Sequence, residues 1–150
     1  MLKVTIIDVT DCKFMDNLSG NQGGGLYVYT TIKWTISSTD FLNNIAEQIG
    51  GAIFGINCTL IETVNSTFIN NTASENIAGG VYVMESTHLF MTACYLYHNL
   101  GKEGGGGGKT FYVIYITITK SSFIGNQGDV GGGLYCSGAK EVQNFSIKIH

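Results

Sequence analysis

Few of the residues that could take part in catalysis or ligand binding occur at the spacings found in known sites. The nearest approach to a known pattern is the tract Gly104 to Gly108, which is followed by Lys109 and Thr110. A phosphate-binding loop has the pattern Gly-x4-Gly-Lys-Ser/Thr, in which backbone amides and the lysine cradle the phosphates. The first glycine of that pattern would fall at residue 103, which is Glu103. We therefore expect a glycine-rich corner here and no nucleotide site.

Carboxylates do not form a catalytic pattern either. Enzymes that cleave polysaccharides need clustered acidic side chains, and lyases of this kind typically add a basic residue such as arginine. The cations of this chain are 8 lysines, with no arginine. Five aspartates share no position of the repeat described below: Asp8, Asp11, Asp16, Asp40 and Asp129. We expect no catalytic residue and no enzyme, with a fragment of a carbohydrate-active enzyme (a polysaccharide lyase or hydrolase) as the alternative.

Metal and redox sites are not indicated. The four cysteines are too widely spaced for a Cys-x-x-Cys motif: Cys12, Cys58, Cys94 and Cys136. Cys12 and Cys94 share a position of the repeat three coils apart, roughly 14 Å, which exceeds the limit of about 7 Å for a disulfide. The histidines show no ligand spacing: His88, His98 and His150. We expect inert buried thiols, no metal and no cofactor.

Composition argues against two classes of partner. The chain has 150 residues and a net charge of -3, and an acidic surface without arginine is unsuited to nucleic acid. No run approaches the roughly 18 to 20 apolar residues of a membrane span, and Asp8 comes too early for a signal peptide. The 21 glycines, the absence of proline and the many Thr, Ile, Tyr and Asn favour strands and tight turns. We predict an all-β chain that does not insert into a membrane.

The elements that carry these residues repeat along the chain. A motif with a large apolar anchor recurs in steps of 27, 27, 28 and 27 residues, with anchors at Phe14, Phe41, Phe68, Leu96 and Phe123. A glycine pair follows each anchor, at Gly24-Gly25, Gly50-Gly51, Gly79-Gly80, Gly107-Gly108 and Gly132-Gly133. The alignment of the fourth repeat can shift by a residue or two, because Phe111 to Val113 also matches Leu26 to Val28. A fixed period of this length indicates stacked repeats, and we place residues 1–150 in one domain.

Apolar and polar residues alternate before each anchor, as in strands with one buried face. The position seven residues before the anchor holds Ile7, Trp34, Ile61, Leu89 and Ile116. We predict a single-stranded parallel β-solenoid of about five coils of about 27 residues, with three short strands per coil and a spacing of about 4.8 Å between coils. The anchor rings form an internal stack in which Leu96 is the single exception.

Asparagine three residues after each anchor predicts a structural ladder at one corner. The ladder consists of Asn17, Asn44, Asn71, Asn99 and Asn126. An asparagine side chain passes hydrogen bonds from coil to coil, and its backbone tolerates the left-handed region that a corner needs. We expect the glycine pairs to supply positive φ at another corner.

One outward column is aromatic and suggests a stacking surface. The position after the glycine pair reads Tyr27, Ile53, Tyr82 and Tyr135. Exposed rings of this kind stack on sugars or on a partner protein, and the simpler alternative is that they only shield a sheet face.

Five Asn-x-Ser/Thr sequons are glycan acceptors if the chain passes through a secretory pathway. They begin at Asn17, Asn57, Asn65, Asn70 and Asn144. Asn57, Asn65 and Asn144 are the available ones, Asn70 is less so, and Asn17 is engaged in the ladder.

The paired motifs resemble those of the polymorphic outer membrane protein repeats, which combine Phe-x-x-Asn with Gly-Gly-Ala-Ile. Residues 41–44 and 50–53 match both motifs in full, and the other repeats carry a relaxed second motif such as Gly-Gly-Val-Tyr at 79–82. The resemblance extends over nearly the whole chain. It implies a right-handed β-helix displayed at the cell surface, often as an adhesin, and the chain is then a segment of a longer protein or a unit delivered in another way.

Both ends of the chain are at nearly the same phase of the repeat, and no cap is evident. Uncovered terminal coils expose unpaired backbone groups and invite another strand. We expect the partners to be like subunits stacked end to end as a fibre, or further coils of the same chain, in addition to carbohydrate or a surface receptor. The predicted function is a non-catalytic, extracellular or cell-surface, structural or adhesive β-helix that carries glycans.

Overall fold

The computed structural model describes residues 5–75, 77–145 and 148–149, and every regular element in those ranges is a β-strand. None of the described segments is a helix with the length and hydropathy that crossing a membrane requires. The chain winds into a solenoid in which successive coils lie on one another through parallel strand pairs.

Each complete coil contains four short strands. The first coil has β1 (Ile6–Thr10), β2 (Lys13–Met15), β3 (Leu18–Ser19) and β4 (Leu26–Tyr29), and the second has β5 (Lys33–Ser37), β6 (Asp40–Leu42), β7 (Ile45–Ala46) and β8 (Ile53–Ile56). The third has β9 (Leu60–Val64), β10 (Thr67–Ile69), β11 (Thr72–Ala73) and β12 (Val81–Met84), and the fourth has β13 (His88–Thr92), β14 (Tyr95–Tyr97), β15 (Leu100–Gly101) and β16 (Gly108–Phe111). The fifth has β17 (Tyr115–Thr119), β18 (Ser122–Ile124), β19 (Gln127–Gly128) and β20 (Leu134–Ser137), and β21 (Glu141–Phe145) and β22 (Lys148–Ile149) follow.

The strands build four parallel sheets, named here A to D in the order in which a coil meets them. Sheet A is β1-β5-β9-β13-β17-β21, sheet B is β2-β6-β10-β14-β18-β22, sheet C is β3-β7-β11-β15-β19, and sheet D is β4-β8-β12-β16-β20. The sequence predicted three strands per coil, and the additional strand is the two-residue member of sheet C. It forms because the residues after the ladder asparagine pair coil to coil, as Leu18 does with Ile45, before the chain turns at the glycines.

The core is a set of identical positions stacked along the solenoid. The rings of Phe14 and Phe41 are parallel at 4.8 Å, and those of Phe41 and Phe68 at 5.1 Å, which is the spacing of the coils. Leu96 takes the same position in the fourth coil and is fully buried. Stacking of equivalent side chains therefore fills the interior with contacts between neighbouring coils.

Trp34 is the one tryptophan of the chain and lies wholly inside the solenoid. A Cβ on Gly55 would come within 2.7 Å of the Trp34 ring. The inward position that Val28 and Val83 fill in the neighbouring coils is therefore left empty at Gly55, and the indole occupies the space. The buried indole is a useful fluorescence reporter of unfolding.

Corners with positive φ lie one residue before the ladder asparagines, which corrects the expectation that the ladder residues adopt this conformation. The corner residues are Asp16, Asn43, Asn70, His98 and Gly125. The chain must turn outward at this residue so that the following asparagine can direct its side chain towards the interior. Two other corners of each coil also use positive φ, immediately after the strands of sheets A and D.

The glycine pairs are needed for close approach more than for positive φ. Of the ten paired glycines, only Gly50 has φ in the left-handed region. One column of this corner is glycine in all five coils, namely Gly24, Gly51, Gly79, Gly106 and Gly132. A Cβ on each would lie within 2.2–2.7 Å of a backbone atom of another residue, a distance that atoms do not tolerate.

We expect Gly79→Ala to destabilise the fold strongly. The added Cβ would lie 2.4 Å from the backbone N and O of Leu100, so two packed coils must separate. A loss of about 3 kcal/mol in the free energy of unfolding follows, at the upper end of overpacking effects. Urea denaturation followed by Trp34 fluorescence measures it. Gly20→Ala is the control, because its Cβ meets nothing closer than Glu47 Oε2 at 3.9 Å, and equal losses in both variants would contradict the explanation.

Candidate functional site

The five ladder asparagines are joined from coil to coil by their side chains. Nδ2 of Asn17, Asn44, Asn71 and Asn99 donates to Oδ1 of the next asparagine at 2.8, 3.0, 2.9 and 2.9 Å, respectively. The last acceptor is Asn126, and Asn44, Asn71 and Asn99 are wholly buried. The amide groups of the ladder are thus used to hold one corner in register.

The aromatic column on sheet D differs from the predicted one in the second coil. Pairing of β4 with β8 aligns Tyr27 with Phe54, so Phe54 belongs to the column and Ile53 faces the core. The rings of Tyr27, Phe54 and Tyr82 stack at 5.3 and 5.2 Å.

Tyr82 is not available for stacking on a partner, which corrects that part of the prediction. It is only 3% exposed, because Phe54 and Ala78 pack with it and Ile77 and Met84 are among the residues that cover the cluster. Tyr27 is about half-exposed and Tyr135 is half-buried. The aromatic column therefore shields the outer face of sheet D, and Tyr27 is its exposed ring.

Lys109 and the glycine tract have structural partners. The Lys109 Nζ lies 5.9 Å from the ring centroid of Tyr82 and 5.3 Å from that of Tyr135, between the two rings. The backbone amides of residues 106, 107 and 108 donate to the carbonyl oxygens of residues 131, 132 and 133 at 2.9–3.0 Å. Both the cation and the amides of a phosphate-binding loop are therefore already engaged. The pairing of β12 with β16 also resolves the alignment, since it places Gly108 opposite Val81.

The five aspartates lie on different columns of the solenoid. Asp16 Oδ1 accepts a hydrogen bond from Asn43 Nδ2 at 3.0 Å, and Asp40 accepts one from the hydroxyl of Thr67. Within residues 5–75, 77–145 and 148–149, no three His, Cys, Asp or Glu side chains come together in a way that could hold a metal ion. His150 lies outside these ranges.

The four cysteines are free thiols in different environments. Cys58 and Cys94 are buried as predicted, and desolvation raises the pKa of both thiols. Cys136 is half-buried, and desolvation raises its pKa as well. The prediction of a buried thiol is wrong for Cys12, which is exposed because no described strand packs on the outer side of the first coil.

We expect Cys94→Ser to remove part of the loss of stability at high pH. Burial raises the pKa of the Cys94 thiol from 9.0 to about 11, and hydrogen bonds with the backbone of Ser66 and Thr92 oppose this shift. The folded protein therefore holds the proton more tightly than the unfolded chain, so this stabilisation is complete below pH 9 and is lost as the pH rises towards 11.

The difference in the free energy of unfolding between the unsubstituted protein and the Cys94→Ser variant is expected to change by about 2–3 kcal/mol between pH 8 and 11. Serine is a matched replacement because Ser66 and Ser121 occupy the same position in the neighbouring coils. Urea unfolding of both proteins at several pH values tests this expectation, and curves that remain parallel across the range would contradict it.

Two sequon asparagines are displayed at corners of one coil. Asn57 and Asn65 are exposed, have positive φ and lie on either side of β9. Asn70 is also exposed, but its Nδ2 donates to Asn43 Oδ1 at 3.4 Å. Asn57 and Asn65 are therefore the most accessible of the three.

The remaining two sequons are placed less favourably. Asn17 uses Nδ2 in the ladder. Asn144 is exposed on β21, where it pairs with the core residue Ile118 and so occupies an inward column. Ser146, the third residue of that sequon, lies outside the described residues.

Sequence reasoning missed a cleft on the outer face of sheet A. It has a volume of about 170 Å³ and is lined by His88, Tyr115, Ile116, Thr117, Glu141 and Gln143. These residues come from β13, β17 and β21, which are stacked in register. The signal in the sequence is the outward column of sheet A, in which His88, Tyr115 and Glu141 follow one another at the repeat spacing.

Comparisons with known proteins agree with this architecture. The family model of the right-handed β-helix region matches residues 2–148. Searches of curated proteins and of solved structures found no match. The parallel coils, their stacked interior and a family match over almost the whole length lead to one conclusion: this chain belongs to the right-handed β-helix family.

Proposed function

We propose that the chain is a non-catalytic, extracellular or cell-surface β-helix with a structural and adhesive role. The observation that supports this function is that polar side chains of the kind that catalysis requires make contacts between neighbouring coils instead. Asp16 and Asp40 accept hydrogen bonds from the next coil, and Lys109 lies between two tyrosine rings. Such a solenoid serves as a rigid rod whose lateral faces meet the partner. The repeat motifs further support membership of the polymorphic outer membrane protein type.

Glycans and end-to-end contacts complete the proposal. Asn57 and Asn65 are the proposed glycan acceptors, since both are exposed at outward corners. Among the strands that the structure describes, β1 to β4 are edges of their sheets, and edge strands offer unpaired backbone groups to a further strand. That strand comes from another coil of the same chain or from a second copy, so the protein extends into a longer rod or fibre.

Localisation and electron microscopy of native material test the proposal. Antibody labelling of intact source cells is expected to detect the chain at the surface, and micrographs at neutral pH to contain fibres with an axial repeat near 25 Å, the height set by the coil spacing. Dispersed short rods would remove the fibre and leave the lateral surface as the functional part. Labelling only after the cells are broken would overturn the surface role.

The catalytic alternative has its own test. The purified chain is incubated with a panel of neutral and acidic polysaccharides, and released reducing ends and unsaturated products are measured. No turnover is expected. Turnover that disappears in the Asp16→Asn or Asp40→Asn variant would establish an enzyme instead.

A further inference from the structure

The cleft on sheet A combines an aromatic wall with polar groups, as sugar sites require. The rings of His88 and Tyr115 stack at 4.9 Å with an angle of 21° between them. Phe90 extends this wall, with its ring centroid 6.0 Å from that of His88. The wall is held by strand pairing, since His88 lies opposite Tyr115 on adjacent strands. A ligand therefore meets a surface that is already ordered.

The polar side of the cleft comes from the next coil. Glu141 accepts a hydrogen bond from Gln143 Nε2, and both side chains are exposed. Glu141 follows Tyr115, and Gln143 follows Thr117, in the same outward columns. A carboxylate, an amide and a hydroxyl together offer both donors and acceptors, which suits hydroxyl groups, since these also donate and accept.

The charge and the volume of the cleft restrict the class of ligand that it can bind. Glu141 is the one acidic residue that lines the cleft, and no lysine lines it, so an anionic ligand would be repelled. The volume of about 170 Å³ equals the share of about six water molecules, which is below that of a drug-sized pocket. A single pyranose ring is of this size.

We propose that this cleft binds one neutral sugar ring of a surface glycan. The non-polar face of the ring lies against Tyr115, and its hydroxyls exchange hydrogen bonds with Glu141, Gln143 and Thr117. This site rests on the proposed adhesive function and names its partner class. A site of this size gives a dissociation constant on the order of 1 mM for one ring, so adhesion relies on many copies along a rod.

Nuclear magnetic resonance titration of the 15N-labelled chain tests the site. The probes are methyl α-mannopyranoside, methyl β-galactopyranoside and N-acetylglucosamine, with galacturonate as the anionic comparison. At least one neutral probe is expected to shift amides of β17 and β21, and galacturonate to bind more weakly. Gln143→Ala and Tyr115→Ala are each expected to weaken binding about fivefold or more.

The controls separate a site from general surface effects. Tyr112→Ala removes an exposed tyrosine at a corner outside the cleft and is expected to leave the titration unchanged. Trp34 fluorescence verifies that each variant is folded. Absence of shifts with every neutral probe, tighter binding of galacturonate, or equal loss in Tyr112→Ala would overturn the sugar site. Surface labelling of cells would then still test the adhesive role on its own.

Discussion

Replacing Asn71 by alanine is expected to lower the free energy of unfolding by about 4 kcal/mol, because several buried polar groups lose their partners at once. Asn71 Oδ1 accepts from the backbone N and Nδ2 of Asn44 at 2.9 and 3.0 Å. Its Nδ2 donates to the carbonyl oxygen of Phe41 and to Asn99 Oδ1, both at 2.9 Å. No water can replace these bonds without opening the corner, since Asn44, Asn71 and Asn99 are all wholly buried.

Such a loss is a large part of the total stability of a domain, which is about 5–15 kcal/mol. Urea unfolding followed by Trp34 fluorescence measures it. Asn17→Ala is the matched control at the exposed end of the ladder, where the same change is expected to cost about 1 kcal/mol. If the two variants lose the same stability, the buried ladder is not a major source of stability.

Phe41→Ala is the second variant with a large expected effect, a loss of about 4 kcal/mol in the free energy of unfolding. The Phe41 ring is fully buried and has a parallel ring on each face, Phe14 at 4.8 Å and Phe68 at 5.1 Å. Alanine would leave a cavity between two coils whose spacing is fixed by backbone hydrogen bonds, so the neighbours cannot close it. Denaturant unfolding and calorimetry measure the loss.

Two control variants show whether the loss of stability comes from the ring stack. Phe14→Ala removes a half-buried ring that stacks on one neighbour, and about half the loss is expected. Phe41→Leu is expected to cost less than about 1.5 kcal/mol, because Leu96 fills the same position in the fourth coil. Equal losses for Phe14→Ala and Phe41→Ala would mean that the stack does not act as a continuous core.

These effects bear on the proposed adhesive role through rigidity. The sheet A cleft has its walls on three different coils, so its shape depends on the register between them. The ladder bond from Asn99 Nδ2 to Asn126 Oδ1 joins two of these coils from inside, those of β13 and β17. Asn99→Ala is therefore expected to weaken sugar binding even though Asn99 does not touch the cleft.

The period, the stacking of parallel coils and the positions of both internal stacks follow from the amino-acid sequence alone. These features could be predicted because equivalent residues of neighbouring coils lie opposite each other, so that Phe14 pairs with Phe41 and Phe41 with Phe68 across a constant sequence separation. A repeat imposes the same environment on each member of a column, and the residue types then report that environment directly.

Features that depend on which side a residue faces, and on what covers it, became known only from the folded structure. A shift of one residue reverses the face of a strand, so only the pairing of β4 with β8 placed Phe54 outward and Ile53 inward. Burial of Tyr82 depends on Ala78 and Ile77, which reach it from a corner of the coil. The cleft beside Tyr115 likewise exists only where side chains of adjacent coils meet. Its lining residues come from three coils, so no single repeat contains the site.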